Sequence, residues 1–155
     1  MPQRQDYILR LLEELGQFLA EVARFRRAGS YDAALLTLLQ AQERLFARRA
    51  EQFIALPVEQ QVHLLAVDEP AANAREKCLA YATLLVEAGQ TYETRVQPAL
   101  ALGAYRLAMQ VILLAWREPP PPDDRARVAA LLARIPADQL LPELKDWLIR
   151  GDGNC

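Results

Sequence analysis

The chain has 155 residues, 52% of them hydrophobic and 25% charged, which is typical of one soluble globular domain with its own core. A net charge of -2 argues against a nucleic-acid-binding protein that relies on a basic field. Helix-forming residues dominate and glycine and β-branched residues are scarce, so we predict an all-α fold.

The cysteines and the amino terminus suggest the compartment. Cys78 and Cys155 are too few for a disulfide scaffold and suit a reducing cytoplasm. No apolar run approaches the roughly 18–20 residues of a membrane span, and acidic residues such as Asp6 and Glu13 argue against a secretory signal. We expect a cytoplasmic protein, and sixteen arginines against two lysines are typical of a GC-rich bacterial genome.

The first predicted element is a helical hairpin within residues 8–46. Apolar residues recur at spacings of three and four between Ile8 and Phe25, which places them on one face of a helix. Gly29 can adopt the left-handed conformation that ends a helix, and the Ser30 hydroxyl can cap the next one. Small Ala34 and Ala41 allow the two helices to approach closely.

Four further helical segments follow before the proline run. Residues 47–55 continue the helical pattern, Pro57 opens a short helix, and a long helix runs from about Ala72 to Tyr92. Residues 98–117 are apolar over more than half of the helix circumference, so we expect this helix to be the central one. Pro98 is preferred over Gly103 as its boundary, because proline breaks a helix more surely than glycine.

The carboxyl-terminal part divides into a linker and docked helices. We predict one domain, 1–155, in which hairpins occupy 1–117, a stiff proline-rich linker 118–124, and helices 125–151 dock on the hairpins. A rigid linker is preferred over a ligand for a polyproline-binding domain, although Arg117 flanks a Pro-x-x-Pro motif.

The hairpin resembles one tetratricopeptide repeat unit, because the residues of that motif stand in register at Gly29, Tyr31, Ala34, Leu35, Leu38 and Ala41. The same spacing recurs at Gly103, Tyr105, Ala108, Met109, Ile112 and Ala115. The resemblance implies stacked antiparallel hairpins of about six to seven helices. It also implies a concave peptide-binding surface that Leu19, Ala23 and Arg26 would face.

The chain also resembles small bacterial proteins of unknown function whose first helix opens with the pattern found at residues 6–10. That resemblance implies the fold and no activity.

Arginines cluster at the end of each hairpin helix. Arg26 and Arg27 end the first helix, and Arg44 and Arg48 end the second. The helix dipole favours cations at these ends without any function, and an anionic partner is the alternative. Together with Leu19 and Ala23, these four arginines are the candidate partner-binding residues.

His63 is the only histidine, and it defines the alternative site. Glu59 lies one helical turn before it and Asp68 follows soon after, which offers three metal or small-molecule ligands from one short segment. An exposed polar pair is the preferred interpretation of these residues. We find no catalytic constellation and no cofactor motif.

Two functions therefore remain from the sequence. The first is a non-catalytic protein-interaction or scaffold module that binds a protein or peptide, or a second copy of itself as a homodimer, without nucleic acid or membrane as partner. The second is a small-molecule- or metal-binding bundle centred on Glu59, His63 and Asp68. The first predicts an apolar or arginine-lined concavity between helix pairs.

Overall fold

The computed structural model describes residues 2–116 and 122–146, with side chains from Asp6 onward. Those residues contain no strand and confirm the all-α fold. The helices are α1 (Pro2–Arg27), α2 (Tyr31–Phe46), α3 (Ala50–Ile54), α4 (Val58–Ala66), α5 (Ala71–Thr94), α6 (Pro98–Ala115) and α7 (Pro122–Leu132), and a 3-10 turn follows at Ala137–Gln139.

Gly29 closes the first helix of the α1–α2 hairpin, as predicted. Its φ is 75°, a left-handed conformation that costs glycine little. The Ser30 N–H donates to the Phe25 carbonyl at 2.8 Å and the Gly29 N–H to the Arg26 carbonyl at 3.1 Å, which satisfies two carbonyls of the last turn. The prediction that the Ser30 hydroxyl caps α2 is wrong, because its side chain makes no capping bond.

The centre of the fold is α5 rather than α6, which corrects the sequence prediction. Helices α1, α2, α4, α6 and α7 all pack on α5. Eleven of its 24 residues are buried, against six of 18 in α6. A helix that is apolar on several sides therefore does not have to be the one that the others surround.

Two helix boundaries differ from the predicted ones. Helix α2 ends at Phe46 because Ala47 is left-handed, with φ 52°, and the Glu43 carboxylate accepts the Ala50 N–H at 3.1 Å to start α3. Helix α7 begins at Pro122, so residues 122–124 of the predicted linker are helical. Residues 118–121, like Arg117 before them, lie outside the described residues.

The preference for Pro98 over Gly103 as a helix boundary is confirmed. Helix α6 begins at Pro98 and Gly103 lies within it, while Val96, with φ 59°, turns the chain between α5 and α6. After α7, Leu144 is fully buried, and the predicted docking residues 147–149 lie outside the described chain.

Helix α6 also corrects the statement that no apolar run reaches membrane-spanning length. Within the described chain it is one helix of 18 residues that is long and apolar enough to cross a membrane. The core helix of a soluble protein has the same length and composition, and here α6 packs along α5.

The aromatic core joins α2, α3 and α5, and a polar pair ties α4 to it. Tyr81 stands edge-on to Phe53, with ring centroids 5.2 Å apart. Its hydroxyl donates to Gln61 Oε1 at 2.7 Å, and Gln61 Nε2 donates to the Leu56 carbonyl at 2.9 Å. Both polar side chains are fully buried and fully used, which is the usual state of polar groups in a core.

Cys78 lies in the core. It is 2% exposed, and burial raises the pKa of its thiol to about 11, so the thiol stays protonated at neutral pH.

Candidate functional site

A groove runs between α2 and α6, with α5 as its floor. It is lined by side chains from residues 35–42 of α2, 84–92 of α5 and 99–107 of α6, together with Ile54 of α3, and its volume is about 390 Å³. We call it the α2–α6 groove. Pockets of this size and apolar lining are typical of binding sites.

The groove explains why α6 is apolar on more than one side. One side of α6, which includes Tyr105 and Ile112, is buried in the core. A second side presents Leu100, Ala104 and Leu107 to the groove. Leu100 is 51% exposed, so the described residues cover this second apolar side only in part.

The opposite wall is apolar and partly exposed as well. On α2, Leu39 lines the groove and is 47% exposed, and Ile54 of α3 lines it and is 51% exposed. Such a concentration of large exposed apolar side chains at one concavity is typical of a binding surface.

The polar groups of the lining are the Gln42 amide and the Tyr92 hydroxyl. Gln42 is 6% exposed, and its amide nitrogen Nε2 has no hydrogen-bond partner among the described residues. An apolar cavity with one or two placed polar groups is suited to recognition rather than to acid–base or nucleophilic chemistry.

A second polar feature joins α1, α5 and the segment after α7. The Glu87 carboxylate is buried and accepts from Arg26 Nη1 at 3.0 Å and from Arg134 Nη2. Gln90 Oε1 accepts from Arg134 at 2.7 Å. We call these four residues the Glu87 cluster, and its many mutual bonds indicate a structural role.

The predicted partner-binding residues of α1 lie on a different surface from the groove. Ala23, Arg26 and Arg27 line one hollow of about 390 Å³, while Leu19 is half-buried and packs against the core. Arg26 is bound to Glu87, so part of its charge is already neutralised within the protein.

The other two predicted arginines, Arg44 of α2 and Arg48 after it, lie on other surfaces. Arg44 lies 3.6 Å from Glu14 of α1, with its side chain 70% exposed, and Arg48 lines a separate hollow after α2. The structure thus brings three of the six predicted residues together.

Glu59, His63 and Asp68 do not form a metal site. All three are exposed, and no group of three potential ligands among the described residues lies close enough to hold a metal ion. The alternative function that was centred on them is therefore not proposed further.

The concavity was predicted from the sequence, but the residues that form it were not. The helical pattern assigns the leucines Leu39, Leu100 and Leu107 to the core, and it gives no role to Gln42. A usable signal existed in α6, because its apolar pattern is wider than packing on a single neighbour requires.

Comparison with known proteins gives no match to this chain among protein-family models, curated proteins or solved structures. The likeness to tetratricopeptide repeats therefore rests on the sequence pattern alone.

Proposed function

We propose that this protein is a non-catalytic, cytoplasmic interaction module that binds the apolar face of a partner protein's helix in the α2–α6 groove. The observation that carries the proposal is the groove itself, whose exposed leucines no other described part of the chain covers. Burial of those side chains by a partner would supply the driving force for association.

The dimensions of the groove favour a helix as its occupant. The lining of α2 extends from Leu35 to Gln42, a distance of roughly 10 Å along a helix. The anchors of a groove-bound amphipathic helix, at positions i, i+3 or i+4, and i+7, span the same roughly 10 Å.

Gly103 offers a way to close the groove without harming the fold. A β-carbon at this position would meet nothing within 4 Å, and Gly103 lines the groove. We expect Gly103→Leu to fill the groove while keeping or raising the stability, since leucine forms helices better than glycine by up to about 1 kcal/mol.

The test measures binding of a fluorescent amphipathic peptide about four turns long, with apolar anchors on one face, by fluorescence anisotropy. We expect Gly103→Leu and Leu39→Glu to weaken binding by about tenfold or more, which corresponds to about 1.4 kcal/mol. The matched control is Leu9→Glu, because Leu9 is 58% exposed on α1 outside the groove and should leave binding unchanged.

Equal binding by the wild type and Gly103→Leu would contradict the proposal. Light scattering on the same samples identifies a second copy as occupant. A second copy is the occupant if the wild type is a dimer, Gly103→Leu is a monomer, and the wild type does not bind the peptide.

A further inference from the structure

Gln42, which lines the α2–α6 groove, carries a polar atom that no other described residue satisfies. Gln42 is 6% exposed, yet its Nε2 has no hydrogen-bond partner among the described residues. Gln61, the comparable buried glutamine, uses both ends of its amide, at 2.7 and 2.9 Å. Because a buried amide nitrogen without a partner is costly, an acceptor supplied by an occupant would stabilise Gln42 Nε2.

A helical occupant limits which groups can satisfy Gln42. Its backbone carbonyls are already bonded within the helix, so the acceptor must come from a side chain. In this chain, Thr37, Thr83 and Thr91 each donate their hydroxyl to the carbonyl four residues earlier, at 2.7–2.8 Å. A hydroxyl bonded in this way keeps lone pairs that can accept from a neighbour, and it adds little polarity to an apolar face.

We propose that the partner helix carries threonine or serine in the middle of its apolar face, and that this hydroxyl accepts a hydrogen bond from Gln42 Nε2. This inference rests on the proposed function. No bond within the described chain holds that nitrogen, so a rotation of the Gln42 amide toward the occupant costs the nitrogen no existing partner. Flanking leucine-sized anchors fill the apolar walls around Leu39 and Leu100.

The charges along the two rims fix which way the partner helix lies. By helical spacing, Glu43 follows the groove-lining face of α2 on its solvent side and is exposed. Asp32 lies along the same edge, but it is already paired with Arg95. Arg106 borders the groove-lining face of α6 and is exposed. A partner helix with basic residues along one edge and acidic residues along the other complements both rims in one orientation.

The experiment compares two peptides on two proteins. The peptides are identical amphipathic helices with basic and acidic edges, and their central anchor is either threonine or valine, which have nearly the same shape. The proteins are the wild type and Gln42→Met, which keeps the length of the side chain and removes the amide. Gln42→Leu serves as a second variant if Gln42→Met fails to fold.

We expect the wild type to bind the threonine peptide about five- to tenfold more tightly than the valine peptide, the effect of one hydrogen bond. Gln42→Met should lose this preference or favour valine. An unchanged threonine-to-valine ratio in Gln42→Met would overturn the inference and leave the proposed function standing. Failure of the wild type to bind either peptide would overturn both.

Discussion

Replacing Glu87 with alanine is expected to destabilise the protein by about 2–3 kcal/mol, because it leaves two arginines without their shared carboxylate. Arg26 and Arg134 bind opposite oxygens of Glu87, whose side chain is only 11% exposed. The arginine side chains are 26% and 34% exposed, so water partly solvates their charges. The loss of folding stability therefore stays below that expected when a fully buried ion pair is broken.

Urea unfolding measures this effect, and an exposed ion pair provides the control. Glu21 lies 3.7 Å from Arg24 with its side chain 46% exposed, and Glu21→Ala should cost no more than about 0.5 kcal/mol. Glu87→Gln should fall between the two, because its amide oxygen still accepts from one arginine. The structural role of the Glu87 cluster is refuted if Glu87→Ala and Glu21→Ala have equal effects.

The second large effect is expected at Gly89 of α5, which lies against the ring of Tyr105 of α6. A β-carbon there would lie 2.7 Å from Cδ1 of Tyr105, far inside van der Waals contact. Tyr105 is fully buried and cannot move away into solvent. We expect Gly89→Ala to destabilise the protein by about 1–3 kcal/mol, although alanine is otherwise the better helix former.

Gly16→Ala is the matched control, since a β-carbon at Gly16 meets nothing within 4 Å. That substitution should stabilise the protein by about 0.5–1 kcal/mol in the same thermal or urea unfolding measurement. The penalty of Gly89→Ala should shrink in a Tyr105→Leu background, which removes the ring, and persist in Tyr105→Phe, which keeps it. Stabilisation by Gly89→Ala would show that the close approach does not exist.

Local rules predicted most of the helices because the signals were local. Gly29 and Pro98 are residues whose backbone preferences alone end or begin a helix, and both boundaries agree with the structure. The end of α2 at Ala47 was missed because alanine gives no such signal. There the Glu43 side chain, seven residues from Ala50, caps the next helix.

The candidate site could not be predicted in the same way, because it depends on contacts between distant segments. The groove is lined by Leu39 of α2 and Leu100 of α6, which lie far apart in the sequence. The apolar pattern of α6 is equally compatible with a central helix and with one that lines a groove. Only the packing of α2 and α6 on α5 separates these two possibilities.

The most direct test of the α2–α6 groove as the binding site is amide NMR of the labelled protein during titration with the threonine peptide. We predict that the largest shifts occur at Leu39, Gln42, Leu100 and Gly103. Shifts concentrated instead at Ala23 and Arg27 would contradict the account, because they would place the peptide in the hollow beside α1.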